Sequence, residues 1–462
     1  MAEESFSSSE SPIAAIATAP GPAGVCVVRL SGAGSLQVGD RLVSAASRKP
    51  SQQANRSFFY ARILHPVTGD VVDDAVLLIF RPPHSYTGEE ALEIQGHGGS
   101  IPARKLLDAV LFAGARLAEP GEFTKRAFLN GRLDLTQAEA VCDFIQAKTD
   151  RAAHVARAQL DGALGQRIGL LYEQVTNLCA EAEHLLDFDE GELPVSFFED
   201  VGRGLLSVSA DLERLVLSWN EGHLLRDGAL VVISGRPNAG KSSLLNALLE
   251  RNRAIVNEEP GTTRDVIEES ISLGGVPLRL VDTAGLRETE NVVEQEGINR
   301  ARTVISQADL NLYLIDQSAP RDSEDERTLL HCSASNTVIV LTKSDCPRGG
   351  GPSVLPEGLT SVRISVVTGE GLNNLRATII EKLGLSMESS GLPIVSLRHV
   401  TELRLSLRKV QQAREALSLG SEHLVVVANL LREAAEALGR ITGRIYSNDL
   451  LDTLFSRFCV GK

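Results

Sequence analysis

The feature that most constrains the fold of this chain is the glycine-rich stretch at residues 235–242, Gly-Arg-Pro-Asn-Ala-Gly-Lys-Ser. An apolar run at 229–233 precedes it, and a run with helical spacing follows at 243–249. The pattern G-x-x-x-x-G-K-S between a strand and a helix is typical of a loop whose backbone N–H groups surround phosphate oxygens. Lys241 should then reach the terminal phosphates, and Ser242 should bind magnesium. A surface turn is the alternative, and the flanking strand and helix argue against it.

Length, composition and charge exclude several classes of protein. A chain of 462 residues with 43% hydrophobic residues should form about two to four domains with large cores. The net charge of −14 argues against a protein that coats nucleic acid unaided, because phosphate contacts need Lys and Arg. The sequence shows no signal peptide, no apolar stretch of about 20 residues and no C-x-x-C pair. We therefore expect a soluble cytoplasmic protein without membrane contact.

Changes of pattern along the chain predict four segments. Residues 1–122 combine strand-like runs with a helical stretch, which is typical of an α+β domain. Residues 123–223 read as helical, and Thr136-Gln-Ala-Glu139 is interpreted as a capping box that opens one long helical stretch to residue 186. Strands alternate with helices in 224–384, which predicts a mostly parallel sheet, and 385–462 is helical again. We predict a nucleotide-binding domain inserted into a discontinuous helical domain.

Three further motifs accompany the phosphate loop in the order typical of GTPases. Residues 282–285, Asp-Thr-Ala-Gly, follow a strand, where the Asp would lie near magnesium and the Gly N–H near the terminal phosphate. Residues 261–265, Gly-Thr-Thr-Arg-Asp, stand where a switch loop supplies a Thr to the metal. Residues 342–345, Thr-Lys-Ser-Asp, end a later strand, and the carboxylate can accept both hydrogens of the guanine N1 and N2 edge. Together they predict a Ras-like P-loop G domain.

The residues predicted to bind GTP come from all four motifs and from the end of one further strand. They are Asn238, Ala239, Gly240, Lys241, Ser242, Ser243, Asn257, Gly261, Thr262, Thr263, Asp282, Thr283, Ala284, Gly285, Thr342, Lys343, Asp345, Ser365 and Val366.

Two departures from the common GTPase pattern leave base recognition and catalysis open. Thr342 stands where Asn is usual, so we expect some loss of affinity without a change to ATP. Leu286 stands where many GTPases place the Gln that orients the attacking water. An arginine finger, or a monovalent cation bound by Asn238, could neutralise the developing charge. The side chains near Leu286 that could orient the water are Arg287, Glu288, Glu290, Glu294 and Glu296.

Taken together, the motifs resemble the MnmE (TrmE) family of tRNA modification GTPases. The resemblance rests on residues 235–246, 261–265 and 282–287 and on the terminal Phe-Cys-Val-Gly-Lys at 458–462. The N-terminal motifs that share it are Arg-Leu-Ser-Gly at 29–32, Tyr-Thr-Gly-Glu at 86–89, Leu-Glu-Ile-Gln-Gly-His-Gly-Gly at 92–99 and residues 120–131. It covers nearly the whole chain, apart from the first ten or so residues.

The resemblance implies a specific activity and specific partners. It implies a homodimer joined through folate-binding N-terminal domains and a GTPase stimulated by K⁺, with Mg²⁺ at the phosphates. It also implies a partner flavoprotein, MnmG, which binds FAD and much of the tRNA, so that a heterotetramer is expected. Together they would add an aminomethyl or carboxymethylaminomethyl group to carbon 5 of the wobble uridine, with 5,10-methylenetetrahydrofolate or a related reduced folate as the one-carbon donor.

The resemblance also carries site residues over by position. Potassium ligands would be Asn238, Asn257, Glu259 and Thr262, and magnesium ligands would be Ser242 and Thr263. The catalytic residues would be Lys241, Cys459 and Glu294, which matches a family glutamate that orients water through a second water. The folate site would consist of Arg29, Glu93, Arg132 and Lys462.

Alternatives remain for two residues and for the function. Cys459 could be a buried small hydrophobe instead of a group that acts near the folate. His97 is interpreted as a hydrogen-bonded loop histidine in preference to a catalytic base. A regulatory, ribosome-associated or assembly GTPase without modification chemistry is the alternative function, and a folate-binding module with an incidental GTPase is a third. No segment of the chain is strongly basic, which disfavours the assembly GTPase, because such a protein would more naturally carry a basic RNA-binding domain.

Overall fold

The chain forms two compact units in a computed structural model that describes residues 11–187, 195–249, 268–282, 304–320, 323–347, 356, 358–385 and 393–462. One unit comprises Met1–Cys142 together with Thr442–Lys462, and the other comprises Asp143–Ile441. The C-terminal segment therefore belongs to the same unit as the N-terminal domain. The domain boundaries at residues 122, 223 and 384 stay predictions.

The first unit is an α+β fold. Its strands are β1 (Ile13–Ile16), β2 (Val25–Ser31), β3 (Ser57–Leu64), β4 (Val71–Phe80), β5 (Ala91–His97) and β6 (Arg116–Leu117). Its helices are α1 (Ser35–Leu42), α2 (Ser100–Phe112), α3 (Glu122–Leu129) and α13 (Asn448–Phe455), with a short 3₁₀ helix at Pro50–Gln52. Helix α4 (Leu135–Gln146) contains the boundary between the units.

The six strands form one sheet in the order β3-β4-β5-β2-β1-β6, with antiparallel neighbours except for the parallel pair β1–β6. Buried apolar side chains of the sheet pack with those of α1 and α2 in a single core. Because side chains alternate between the two faces of a strand, Arg29 and Glu93 point to the opposite face. They are direct partners in the β2–β5 register, which brings them side by side.

The C-terminal segment is held against the N-terminal unit by close backbone contacts. Gly121 has φ +69, and a Cβ there would lie 2.5 Å from the carbonyl oxygen of Phe455. Gly461 has φ +97, and a Cβ there would lie 2.6 Å from the carbonyl oxygen of Ile16. An ion pair of 2.6 Å joins Lys125 to Asp452. Glycine is needed at both positions because a side chain would be strained and would also collide with backbone.

The first helical segment begins and divides differently from the sequence prediction. The capping box is Asp134 with Gln137, since Asp134 Oδ1 accepts from Gln137 N at 2.8 Å and Gln137 Oε1 accepts from Asp134 N at 2.9 Å. The predicted box at Thr136 and Glu139 is therefore wrong. The predicted helical stretch is divided into separate helices, because the Thr149 side chain caps a new helix and Gly162, with φ 92, starts another.

The second unit combines a helical part with a nucleotide-binding domain. Its helical part contains α5 (Asp150–Leu160), α6 (Ala163–His184), α7 (Val195–Asp227), α11 (Leu397–Leu417) and α12 (Leu424–Thr442), with 3₁₀ turns at Leu185–Asp187 and Ser421–His423. Helices α6, α7, α11 and α12 share one apolar core. Helices from before and after the nucleotide-binding domain thus build one helical domain.

The nucleotide-binding domain is a six-stranded sheet covered by helices. Its strands are β7 (Ala229–Gly235), β8 (Glu268–Leu273), β9 (Val276–Asp282), β10 (Leu310–Asp316), β11 (Thr337–Thr342) and β12 (Thr360–Arg363). Its helices are α8 (Lys241–Leu249), α9 (Ser323–His331) and α10 (Leu372–Lys382). The order is β12-β11-β10-β7-β9-β8, parallel except for the edge pair β8–β9.

The burial of the central strands agrees with a parallel sheet that is covered on both faces. All but the last residue of β10 and every residue of β11 are buried, as expected for parallel strands covered on both faces. The predicted fold class, an N-terminal α+β domain and a discontinuous helical domain with an inserted P-loop G domain, is confirmed. No helix in the described ranges is long and apolar enough to cross a bilayer.

The contact of Gly121 with Phe455 gives a test of how the C-terminal segment is held. Gly121→Ala should strain the backbone and push the carbonyl of Phe455 away, and such overpacking costs about 1–3 kcal/mol. Hydrogen exchange of the full chain should show faster exchange of amides in Asn448–Phe455.

Gly131→Ala is the matched control, because Gly131 has the same φ of +69 and a Cβ there would meet no atom within 4 Å. It should cost only the backbone strain, about 1–2 kcal/mol. Equal exchange of Asn448–Phe455 in the two variants would show that the contact with Phe455 has no role.

Candidate functional site

The phosphate loop joins β7 to α8 and is shaped by three positive φ angles. They belong to Gly235 (φ 136), Asn238 (φ 61) and Gly240 (φ 93). A Cβ on Gly235 would lie 2.5 Å from the carbonyl oxygen of Leu314, so only glycine fits there. Lys241 is buried at the start of α8, and its Nζ donates to the carbonyls of Gly235 at 3.1 Å and Arg236 at 2.8 Å. The ammonium is thereby held across the loop, where it can meet phosphate oxygens.

Ser242, one of the two predicted magnesium ligands, meets Asp282, which is predicted to lie near the ion, at the edge of the sheet. Ser242 Oγ donates to Asp282 Oδ2 at 3.0 Å, which joins the first turn of α8 to the end of β9. A hydroxyl and a carboxylate are the hard oxygen ligands that Mg²⁺ prefers, and it usually binds through one or two of them together with substrate phosphates. The pair therefore fits a magnesium ion beside the phosphate loop.

The residues predicted to recognise the base converge at the ends of β11 and β12. The Ser365 side chain donates a hydrogen bond that lowers the pKa of Asp345, which keeps the carboxylate ionised as a hydrogen-bond acceptor. Lys343 has φ 57, and its Nζ lies 2.5 Å from Asp316 Oδ2. Val366 follows Ser365 and is half-buried. The arrangement places an exposed carboxylate where it can accept from the guanine edge.

Thr342, the departure from the usual motif, has a defined contact. Its side chain is buried, and Oγ1 lies 2.8 Å from the carbonyl oxygen of Ala239 and 3.3 Å from that of Ile315. A hydroxyl carries one proton, so its donor capacity is used within the protein. Thr342 therefore connects the end of β11 to the phosphate loop through a hydrogen bond.

Several predicted nucleotide-site residues lie outside the described residues. They are Asn257, Glu259, Gly261, Thr262, Thr263, Thr283, Ala284, Gly285 and Glu294. Their assigned roles stay predictions. Of the predicted potassium ligands, the described part of the chain contains Asn238, which is exposed in the phosphate loop.

A cavity of about 400 Å³ opens on the sheet face of the first unit that carries Arg29 and Glu93. Arg29 Nε donates to Glu93 Oε1 at 2.9 Å, and both side chains are largely buried. The guanidinium lies 5.6 Å from the ring centroid of Tyr86 and 5.9 Å from that of Phe123. The cavity is lined by Arg29, Ser31, Arg56, Phe80, His84, Ser85, Tyr86, Thr87, Ala91, Glu93, Phe123 and Arg132. Three of the four predicted folate-binding residues thus meet in one cavity.

Lys462, the fourth of these residues, lies within electrostatic reach of the same pair. Burial lowers the pKa of Lys462, the Arg29 cation lowers it further, and the Glu93 carboxylate opposes them. Gly461 packs on Ile16 at the end of β1, beside β2 with Arg29. The C-terminus therefore adds a second cation to the Arg29–Glu93 pair.

Cys459 and His97 occupy different surroundings from their simplest interpretations. Cys459 is exposed, so its interpretation as a buried hydrophobe is wrong. His97 is the last residue of β5 instead of a loop residue, and its Nδ1 lies 2.6 Å from Asp73 Oδ1. This hydrogen bond raises the pKa of His97. The same carboxylate accepts from the His97 backbone N at 2.7 Å, which is the contact of a structural histidine.

The sequence analysis did not identify the aromatic walls of the cavity or the two ion pairs of a buried arginine. Tyr86 was visible only as part of a motif, and its hydroxyl lies 2.9 Å from Thr124 Oγ1. Arg126 is buried and pairs with Glu122 at 3.0 Å and with the half-buried Glu89 at 3.3 Å. The pattern of α3 could have suggested the i, i+4 pair of Glu122 and Arg126.

Comparison with known proteins covers both ends of the chain. Residues 12–132 match the family model of the GTP-binding protein TrmE N-terminus, and residues 135–459 match that of the MnmE helical domain. The G domain of the FeoB iron transporter from T. maritima is 26% identical, with 33% of this chain and 98% of that chain covered and a TM-score of 0.25.

Curated relatives match over nearly their full length. The tRNA modification GTPase MnmE of Geotalea uraniireducens (strain Rf4) is 42% identical, with 97% of this chain and 99% of the relative covered. The tRNA modification GTPase MnmE of Symbiobacterium thermophilum is 44% identical, with 98% of this chain and 100% of the relative covered. The chain therefore belongs to the MnmE (TrmE) family of tRNA modification GTPases and is a GTP hydrolase.

Proposed function

We propose that this GTPase is stimulated by K⁺ and acts with the flavoprotein MnmG to add an aminomethyl or carboxymethylaminomethyl group to carbon 5 of tRNA wobble uridines. The one-carbon unit would come from 5,10-methylenetetrahydrofolate or a related reduced folate, and FAD would enter only through the partner. The observation that carries the proposal is the Arg29–Glu93 cavity, which a GTPase acting only as a switch would not need.

The residues of the cavity fit a reduced folate chemically. A pterin ring is flat and carries N–H groups, and Glu93 can accept hydrogen bonds from such groups while Tyr86 and Phe123 form apolar walls. Arg29, Arg132 and Lys462 supply positive charge for the carboxylates of the glutamyl part. When bound, the folate would supply the one-carbon unit, and Cys459, exposed close to Lys462 in the chain, is proposed to act near it.

In the G domain, each residue has a proposed role in GTP hydrolysis. Lys241 binds the terminal phosphates, Ser242 and Thr263 hold Mg²⁺, and Asp345 selects guanine. Asn238 binds K⁺ together with Asn257, Glu259 and Thr262, and the cation would neutralise charge that develops between the phosphates. Glu294 orients the attacking water in place of the Gln that Leu286 replaces. For residues outside the described ranges these roles rest on the family resemblance.

The proposed partners are a second copy of the chain, MnmG and tRNA. Strand β3 lies at the edge of the N-terminal sheet and exposes Phe58 and Tyr60, 74% and 69% accessible, which suits a homodimer formed through this domain. The net charge of −14 favours tRNA contact mainly through a heterotetramer with MnmG. We place the protein in the cytoplasm, where tRNA is modified.

Mass spectrometry of tRNA from a strain that lacks the gene tests the proposed function. Wobble uridines should lose the (carboxymethyl)aminomethyl group, and expression of the intact chain should restore it. Expression of Lys241→Ala should not restore it, because the variant cannot hold the phosphates. Unchanged wobble uridines in the deletion strain would contradict the proposal and leave a regulatory GTPase.

Potassium dependence tests the role of Asn238. GTP hydrolysis by the intact chain should be about tenfold or more faster in K⁺ than in Na⁺, because the smaller ion fits the ligands poorly. Asn238→Ala should abolish the difference, and so should Asn238→Gly, which relieves the positive φ. Asn246→Ala, an exposed amide on α8, serves as the control and should keep it. Equal rates of GTP hydrolysis by the intact chain in both salts would show that K⁺ has no role in the mechanism.

Thr342 has a test based on its hydroxyl. Thr342→Val removes the donor to the carbonyl of Ala239 and leaves a buried acceptor unpaired, which costs about 1–3 kcal/mol. Titration with GDP should therefore show affinity reduced by about tenfold. Thr342→Ser, which keeps the hydroxyl, should bind GDP nearly as the intact chain does. Intact affinity in Thr342→Val would show that the contact does not shape the phosphate loop.

A further inference from the structure

The opening of the Arg29 cavity carries basic side chains that the four predicted folate-binding residues do not account for. Arg56 and His84 line the cavity together with Arg132, and all three are exposed. Glu93 is the only carboxylate among the lining residues, and its partner is Arg29. No carboxylate that lines the cavity therefore remains to neutralise the arginines at its opening.

The backbone holds Arg56 in an unfavourable conformation at this opening. Its φ is 57, a value that costs a non-glycine residue about 1–2 kcal/mol. Its N–H donates to the carbonyl of Ile79 at 2.9 Å, and the neighbouring Asn55 Oδ1 accepts from Arg81 N at 2.8 Å. The hydrogen bonds of Arg56 and of the neighbouring Asn55 thus fix the position of the Arg56 backbone.

The two arginines at the opening, Arg56 and Arg132, have no ion-pair partner in the part of the chain that the structure describes. Arg56 and Arg132 form no salt bridge there, whereas Arg29, Arg62, Arg81, Arg116 and Arg126 each pair with a carboxylate. Arg132 begins just beyond α3, where its N–H donates to the carbonyl of Ala127 at 2.8 Å. Two guanidinium groups are therefore free to pair with carboxylates of a ligand.

The cavity itself has room for a ring system and little more. Its volume of about 400 Å³ lies near the lower end of the range for small-molecule sites, about 300–1,000 Å³. Phe80, Tyr86 and Phe123 supply the apolar lining. A chain of linked carboxylates attached to the ring would have to leave the cavity past the rim of Arg56, His84 and Arg132.

We propose that Arg56, His84 and Arg132 bind the γ-linked glutamyl chain of folates, so that the protein prefers polyglutamylated over monoglutamylated reduced folate. The inference rests on the proposed folate site and adds a specificity determinant to it. Each added glutamyl residue brings one α-carboxylate to the rim, where guanidinium forks can bind it with two hydrogen bonds. Exposed pairs of this kind are individually weak, so the rim should give about three- to tenfold tighter binding of the longer ligand.

Calorimetric titration of the full chain with a stable reduced folate that carries one or five glutamyl residues tests the proposal. The intact chain should bind the pentaglutamate about three- to tenfold more tightly than the monoglutamate at low salt. The ratio should fall toward one at about 1 M salt, where exposed charges are screened. Arg56→Gln should lower the ratio at low salt, because the pentaglutamate brings more carboxylates to the rim than the monoglutamate does.

Arg104→Gln is the matched control, because Arg104 is an exposed arginine on α2 of the same unit and does not line the cavity. It removes the same charge and should keep the preference for the pentaglutamate. Arg56→Lys keeps the charge without the fork and should keep part of the preference.

Four outcomes would contradict the inference, and only the last of them would also contradict the folate site itself. Equal affinity of the intact chain for the two ligands would show that the rim residues do not discriminate between them. The same loss of preference in Arg104→Gln and Arg56→Gln would show that the position of the arginine does not matter. Neither result would contradict the folate site itself. A full preference in Arg56→Gln would exclude Arg56 as the determinant. If neither ligand binds the intact chain, both the folate site and this inference are wrong.

Discussion

The first unit depends on the close contact between the C-terminal segment and the N-terminal sheet. Gly461 and Gly121 allow backbone to approach backbone where any side chain would collide. Phe455 and Phe458, buried with ring centroids 5.3 Å apart, fill the space beside these contacts. This packing brings Lys462 within electrostatic reach of Arg29 and Glu93, which lie on the N-terminal sheet.

In the G domain, the ends of parallel strands position the residues that are predicted to bind GTP. The phosphate loop lies at the end of β7, Asp282 is the last residue of β9, and Asp345 follows β11; these strands are parallel members of one sheet. The carboxyl ends of parallel strands meet at one edge, so residues about one hundred positions apart converge. Thr342 strengthens this arrangement by bonding the carbonyl of Ala239. The residue that departs from the usual motif is therefore still part of the phosphate loop's support.

Much of this could be predicted from the sequence, and the remainder depends on packing. The phosphate loop and the inserted domain follow from local spacing and strand–helix alternation, which sequence patterns encode directly. The capping box at Asp134 was missed because two overlapping patterns, at Asp134 and Thr136, fit the same motif. Tyr86, Phe123 and the rim arginine Arg56 come from separate segments, so only the folded sheet reveals that they share a cavity.

The proposed folate chemistry depends on the C-terminal residue, which would complete an anion-binding site on the N-terminal sheet. Calorimetric titration with a stable reduced folate, such as the 5-formyl form, tests this in the intact chain and in Lys462→Met, which keeps the length of the side chain and removes its charge. We expect at least about tenfold weaker binding in Lys462→Met, in line with the loss of a partly buried charged contact. Equal affinity in the two proteins would contradict the proposed role of Lys462.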